Sequence, residues 1–237
     1  MKKLFLLFSV VLTILISFKS QALTLNGFGG YRSGSHAYET RLKVSENWKS
    51  GWFASLETDS FNKTHENNNE PFGLSYNEID TNYTIHLTDK LSLKPGHLLH
   101  WSSAGTRLGP YLKLSYDVRK DLNLGIRYRY DYNLFHSTDL NDNNSRAQQQ
   151  RWDGYITYQM NDKWMTAWQT TVYTYVNDYR YNNNKTWATE NAFVIQYKLT
   201  PTVAPYIEYD YLDKQASYNG KKNITENSYR VGISITL

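Results

Sequence analysis

Arginine recurs at alternate positions in several parts of this 237-residue chain. The clearest case is the stretch from Leu124 to Tyr130, where Arg127 and Arg129 alternate with apolar and aromatic residues. A guanidinium group keeps its charge and offers a planar fork of N–H donors that fits a carboxylate. Several such groups in succession would let a small carboxylated solute bind and also leave, because each site alone is weak. The first chemistry indicated is therefore anion binding.

A second set of residues suggests nucleophilic catalysis. One histidine ends the stretch Ser33 to His36, and another, His100, lies two residues before Ser102, so each could activate a hydroxyl. A histidine near a serine is common by chance, and no motif places a third, orienting group. We therefore predict no enzyme activity and no catalytic residue, and keep a hydrolase as the alternative.

Composition excludes several classes of protein. The chain has no cysteine, which excludes a disulfide framework, a thiolate metal site and a cysteine nucleophile. Its mean hydropathy of −0.65 excludes a bundle of membrane-spanning helices, each of which needs about 20 mainly apolar residues. Its 21 Tyr and 7 Trp exclude a disordered chain, since such chains are poor in large rings.

The chain begins with a predicted secretory signal peptide, residues 1–22. Two Lys precede an apolar run from Leu4 to Phe18, and a small-x-small end predicts cleavage after Ala22. Cleavage removes three of the 26 basic residues and none of the 22 acidic ones, which leaves a net charge of +1. So small a net charge gives no reason to expect a nucleic acid partner.

The rest of the chain, residues 23–237, has the period of two that is typical of strands. From Leu122 to Tyr132 apolar and aromatic side chains alternate with polar ones, and the same alternation runs from Tyr229 to Leu237. There are twelve such stretches. They begin near Leu23, Tyr38, Gly51, Asn77, Leu91, Thr106, Leu122, Gln150, Trp164, Trp187, Val203 and Asn227.

The connections between these strands are of two kinds. Five are short: Asn47 to Ser50, Thr88 to Lys90, Arg119 to Asp121, Asn161 to Lys163 and Thr200 to Thr202. Most others are long and polar, including Lys63 to Ser75, His136 to Gln149, Asp178 to Thr186 and Asp213 to Ile224. Short turns on one rim and long loops on the other predict an all-β fold, a 12-stranded antiparallel transmembrane β-barrel. Its expected location is the bacterial outer membrane, with both termini in the periplasm.

If the apolar side chains face lipid, the alternate side chains face the lumen. The inward cations are Arg32, Arg41, Lys43 and Arg230 on strands one, two and twelve, and Arg107, Lys113, Arg127, Arg129 and Arg151 on strands six to eight. Closure of the barrel places these two groups on opposite walls, and inward acids such as Glu57 and Glu208 are predicted to lie between them. Twelve strands should leave a narrow open pore, since eight are filled by side chains and 16 form a wide channel.

The alternative is a closed lumen in which the cations pair with neighbouring carboxylates. Arg107, for example, could pair with Glu39 or Asp117. The register of the first strand also stays open at this point, because the apolar Phe28 falls on an inward position where a polar lining is expected.

Short strings along the whole of residues 23–237 resemble the oligogalacturonate-specific porin family. They are Gly30 to His36, Gly105 to Tyr111, Leu124 to Tyr130, Arg151 to Tyr155, Trp187 to Phe193, Tyr206 to Tyr211 and Glu226 to Arg230. The resemblance implies a monomeric twelve-stranded barrel, lined by two tracks of basic residues, that passes acidic sugars through the outer membrane.

The resemblance also implies N-acetylneuraminic (sialic) acid as the solute, with an oligogalacturonate-selective porin as the alternative. We expect passive, anion-favouring uptake, and no metal or cofactor, because the solute moves down its own gradient. The expected partners are the acidic sugar and outer-membrane lipid.

Overall fold

The chain forms a barrel of twelve antiparallel strands in a computed structural model that describes residues 23–63, 74–218 and 220–237. The strands are β1 Thr24–Arg32, β2 Ala37–Asn47, β3 Trp52–Lys63, β4 Leu74–Tyr83, β5 Leu91–Ser102, β6 Gly105–Arg119, β7 Leu122–Asn133, β8 Gln148–Gln159, β9 Trp164–Tyr175, β10 Trp187–Tyr197, β11 Val203–Tyr218 and β12 Lys221–Thr236. Across these described ranges no helix is long and apolar enough to cross a membrane. The predicted signal peptide, residues 1–22, lies outside the described residues.

Closure of the sheet gives each of these twelve strands two neighbours. Each strand pairs with the next in chain order, and β1 pairs with β12 so that Thr24 faces Thr236. A closed sheet satisfies every ladder of backbone hydrogen bonds internally, which a sheet must do in lipid. The predicted fold is thus confirmed, and both ends of the barrel sequence lie on the short-turn rim.

Alternation along the strands separates an apolar outer face from a polar lumen. On β7, Ile126 is 50% exposed on the outside while Arg127 and Arg129 point into the lumen. On β12, Val231 is 68% exposed and Arg230 is buried in the lumen. Exposed aliphatic side chains are what a lipid-facing surface requires.

Aromatic rings pair on the outer face near both ends of the strands. Tyr31 and Tyr38 lie at the long-loop end, with ring centroids 5.3 Å apart. Trp52 and Tyr83 lie at the short-turn end, with centroids 5.2 Å apart. These rings occupy the positions of the two interfacial girdles of a membrane barrel.

The five short turns lie where the sequence places them, whereas the prediction for the last long connection is wrong. Most of the predicted loop from Lys63 to Ser75 lies outside the described residues. Residues Asp213 to Ile224 were expected to form a loop, whereas β11 continues to Tyr218 and β12 begins at Lys221. The register shifts between Leu212 and Ala216. Such bulges interrupt the period of two, so counting alternation cannot follow the strand through them.

Two long loops pack against each other at the opposite rim. The β7–β8 loop contains a small hairpin, Ser137–Thr138 paired with Asn144–Ser145. Tyr179, from the β9–β10 loop, donates its hydroxyl to the backbone carbonyls of Ser137 at 2.9 Å and Ser145 at 2.7 Å. The Tyr179 side chain is buried, so it fixes the two loops relative to each other.

Candidate functional site

The lumen contains a cavity of about 460 Å³ lined by charged side chains from most strands. Eight of the nine predicted cations line it: Arg32, Arg41, Lys43, Arg107, Arg127, Arg129, Arg151 and Arg230. Lys113 does not border the cavity, but its Nζ lies 4.0 Å from the ring centroid of Tyr155, which does. The alternation of side chains between the two faces of each strand therefore places cations from six strands in the same cavity.

Arg230 on β12 belongs to a buried ion network. Its Nε donates to Glu39 at 2.6 Å, and its Nη1 pairs with both Glu208 and Asp210 on β11. Arg32 also pairs with Glu39, at 2.7 Å. The acids of β11 thus contact the cations of β12 directly, rather than lying on a separate wall as the sequence suggested.

The cations of β2 are paired in the same way. Arg41 lies 3.1 Å from Glu57 and 3.5 Å from Asp59, both on β3, and Lys43 lies 3.3 Å from Glu57. The separation expected between basic and acidic groups is therefore wrong here too. Neighbouring strands place these residues opposite each other in register, and single-strand alternation carries no information on register.

Phe28 does point into the lumen. It is only 6% exposed, and the guanidinium carbons of Arg41 and Arg230 each lie 4.7 Å from its ring centroid. Stacking on an aromatic face stabilises guanidinium groups. An apolar residue thus fits this polar wall, because it separates two cations that would otherwise repel each other.

The cations of β7 and β8 share fewer carboxylates. Asp153 accepts hydrogen bonds from Arg127 at 2.8 Å and from Arg151 at 2.7 Å. Arg129 pairs with Asp131 at 2.7 Å. One carboxylate between two guanidinium groups leaves this part of the wall with an excess of positive charge.

Arg107 pairs with neither of the acids considered for it. Its Nε donates to Asn133 Oδ1 at 3.0 Å. Glu39 is bound to Arg32, and Asp117 accepts from Asn123 at 2.7 Å. An amide oxygen holds the Arg107 guanidinium in place without neutralising it.

Two inward tyrosines lie against the wall, each over a glycine of the neighbouring strand. Tyr111 crosses Gly96, and its hydroxyl donates to Asp80 Oδ1 at 2.6 Å. Tyr206 crosses Gly232 in the same way. A side chain on either glycine would collide with the ring, so these glycines keep the rings out of the lumen.

Aromatic residues also gather at the long-loop end. Tyr181, in the β9–β10 loop, stacks on Tyr175 with ring centroids 4.3 Å apart. Burial, reinforced by the neighbouring hydroxyls of Tyr175 and Tyr173, raises the pKa of Tyr181 far above its usual range. The ring therefore stays neutral, although the positive charge of Arg107 acts to lower this pKa.

The histidines considered for catalysis have other contacts. His100 Nδ1 lies 3.7 Å from Glu78, and its ring stacks on Tyr76 with centroids 4.6 Å apart. The Tyr31 hydroxyl and His36 Nδ1 are hydrogen bonded at 3.2 Å. In the described part of the chain, no group of three or more His, Asp or Glu is placed to hold a metal ion.

One lumen cation was missed in the sequence. Lys94 on β5 stands opposite Lys113 on β6, so both side chains lie on the same face of the sheet. The sequence does indicate this cation, because Lys94 occupies a polar, inward position in the alternating pattern of the fifth strand, between Leu93 and Pro95. The neighbouring Pro95 and Gly96 obscured the period of two.

The chain is similar to known porins and channels in sequence and in structure. The family model described as "Oligogalacturonate-specific porin protein (KdgM)" matches residues 16–237. The N-acetylneuraminic acid outer membrane channel protein NanC of Escherichia coli (strain K12) is 57% identical over 218 residues, which is 92% of each chain. The protein of the same name from Shigella flexneri matches to the same extent.

Solved structures agree with this assignment. A NanC porin structure matches with a TM-score of 0.84 and 55% identity, over 90% of this chain and 100% of that one. A KdgM porin matches with a TM-score of 0.64 at 17% identity, over 90% and 99% of the two chains, and so supports the fold alone. A porin family is not a family of enzymes, which sets the hydrolase alternative aside. The chain is a transmembrane β-barrel of the outer membrane and belongs to the oligogalacturonate-specific porin family.

Proposed function

We propose that this protein is a passive outer-membrane channel for N-acetylneuraminic acid, with a preference for anions over neutral sugars. The observation that carries the proposal is the lumen cavity lined by eight of the nine predicted cations. Its volume of about 460 Å³ lies in the range of about 300 to 1,000 Å³ that small-molecule sites occupy. The relative named for this solute, 57% identical, supports the same conclusion.

Passage depends on many weak contacts rather than one tight site. The guanidinium groups of Arg127 and Arg151 already share Asp153, so each keeps N–H donors for a passing carboxylate. Hydrogen bonds to charged groups are strong enough to attract the solute into a narrow pore, and successive sites of similar strength let it leave again. The gradient of the solute supplies the driving force.

Liposome swelling tests the choice of solute. Vesicles that contain the purified barrel should swell faster with N-acetylneuraminate than with a neutral sugar of similar size. Faster swelling with oligogalacturonate than with N-acetylneuraminate would favour the alternative solute, and equal rates for acidic and neutral sugars would contradict a preference for anions.

Variants of β7 test the role of the basic lining. The double substitution Arg127→Gln and Arg129→Gln should lower anion selectivity, because it removes two positive charges from the wall of the cavity. Arg119→Gln is the matched control: Arg119 pairs with Asp121 on the exposed short-turn rim, at 3.1 Å. An unchanged reversal potential in the double variant would contradict the role of these cations.

Orientation and oligomeric state complete the proposal. The short-turn rim and both termini face the periplasm. The protein works as a monomer, in which one closed chain encloses the whole lumen. Protease added to intact cells should cut only in the long loops, and light scattering in detergent should give the mass of one chain.

A further inference from the structure

The two basic walls of the lumen differ in how far their charge is neutralised. On the wall formed by β11, β12 and β1 to β3, four cations meet five carboxylates. The ion-paired cations there are Arg32, Arg41, Lys43 and Arg230, and the carboxylates are Glu39, Glu57, Asp59, Glu208 and Asp210. This wall offers a passing anion little net attraction.

The wall formed by β5 to β8 keeps most of its positive charge. It carries Lys94, Arg107, Lys113, Arg127, Arg129 and Arg151, and of the acids in the described ranges only Asp131 and Asp153 are ion-paired with them. Among residues 23–63, 74–218 and 220–237, no carboxylate lies within 4.0 Å of Lys94, Arg107 or Lys113. The cations without an ion pair are therefore concentrated on this side of the lumen.

Three of these cations lie side by side across the sheet. Lys94 on β5 faces Lys113 on β6, and Lys113 faces Arg127 on β7. Residues directly opposite each other on neighbouring strands have Cβ atoms about 4.5 to 5.5 Å apart, and like charges at that spacing destabilise the sheet. An anion bound between these charges would reduce the repulsion.

The carboxylates that interact electrostatically with Lys113 are bound to other side chains. The acids that act on it are Asp153 and Asp80. Asp153 is held by two arginines, and Asp80 accepts the hydroxyl of Tyr111 at 2.6 Å. The ammonium group of Lys113 instead stands over the ring of Tyr155. Its remaining donors, with those of Lys94, are free to receive an anion from the lumen.

The row of Lys94, Lys113 and Arg127 lies where a solute would pass after the cations near the long-loop end. Arg107, which lines the cavity, lies near the long-loop end of β6, and Lys113 lies six residues further along the same strand. At about 3.4 Å per residue these two cations are about 20 Å apart along the strand. Lys94 and Lys113 thus continue the basic lining from the cavity toward the short-turn rim.

We propose that Lys113, whose ammonium group stands over the ring of Tyr155, and Lys94 opposite it form an anion subsite. This subsite takes the carboxylate of the solute as it leaves the cavity toward the short-turn rim. The inference rests on the proposed function, because it assumes a carboxylated sugar in the lumen. Arg127, fixed by Asp153, supplies the third positive charge of the row. The ring of Tyr155 gives the sugar an apolar surface beside the ammonium groups.

Blockade of single-channel current tests the subsite. N-acetylneuraminate is added to the purified barrel in a planar bilayer, and the concentration that halves the chloride current is measured for wild type, Lys94→Gln, Lys113→Gln and Lys113→Arg. Each Gln variant should raise that concentration about fivefold, since one charge–charge contact is lost, whereas Lys113→Arg keeps the charge and should stay near wild type. Lys120→Gln, in the exposed turn after β6, is the control and should match wild type.

A second measurement separates binding from a structural role. If Lys94 and Lys113 only held the wall together, the Gln variants would unfold at lower urea concentration. The subsite predicts equal or higher stability, because each substitution removes a like-charge contact. Half-blocking concentrations that stay unchanged in both Gln variants, with a wild-type channel that N-acetylneuraminate does block, would overturn the subsite and leave the proposed function standing. A wild-type channel that neither conducts nor is blocked by N-acetylneuraminate would overturn both.

Discussion

Replacement of Gly96 by alanine should force an inward tyrosine off the wall of the lumen. A Cβ at position 96 would lie 2.2 Å from Cζ of Tyr111, whereas ordinary contact begins at 3.4 Å, so the ring must move by more than 1 Å. That movement breaks the 2.6 Å hydrogen bond from Tyr111 to Asp80 and the 3.0 Å hydrogen bond from Asn82. One bond to a charged group and one to a neutral group together contribute about 2 to 4 kcal/mol.

Urea unfolding in detergent and single-channel conductance measure the two expected effects. Gly96→Ala should lower the free energy of unfolding by that amount and also lower conductance, because the displaced ring enters the lumen. Tyr111→Phe should lower stability alone, since the ring keeps its place. Gly29→Ala is the matched control, because no atom lies within 4 Å of its added Cβ. A Gly96→Ala barrel with wild-type stability and conductance would refute this reasoning.

Three more predictions concern a buried carboxylate and the loops. Asp153→Asn should lower the free energy of unfolding by about 3 kcal/mol, because it leaves Arg127 and Arg151 without their shared carboxylate, and should raise anion selectivity; a urea titration that matches wild type would contradict this. Tyr179→Phe should speed hydrogen exchange in the β7–β8 loop, since the ring stays but its bonds to two carbonyls are lost; unchanged exchange would mean that these bonds do not hold the loop. Desolvation acts to raise the pKa of Asp139, but the backbone N–H groups of Asn143 and Asn141 outweigh it and hold this pKa below the ordinary value of an aspartate. The loop should therefore be held above about pH 4 and loosen as pH falls through the lowered pKa, as exchange measured across this range would show, and Asp139→Asn should loosen it at neutral pH.

The sequence predicts the barrel well where alternation is unbroken. The stretch that begins at Leu122 is β7, because each of its side chains faces either lipid or lumen without exception. Prediction fails at β11 and β12, where register shifts near Ala216 break the period of two. The physical cause is that a bulge changes the face of every later residue in the strand.

The lining of the lumen is less predictable than the fold. Period-two counting places Arg230 and Glu208 in the lumen, yet it cannot tell that they meet, because pairing depends on the register between β11 and β12. The same limit hides the role of Phe28, whose neighbours Arg41 and Arg230 come from two other strands. Which residues face the lumen is a local property of each strand, whereas charge compensation is a property of the closed sheet.

The sign of the reversal potential across a KCl gradient tests the central claim most directly, that the lumen attracts anions. At low salt, where fields extend about 10 Å or more, the wild-type channel should favour chloride, and the preference should fade toward 1 M salt as screening shortens the field to about 3 Å. A channel that favours potassium at low salt, or shows no preference at any salt concentration, would contradict the account.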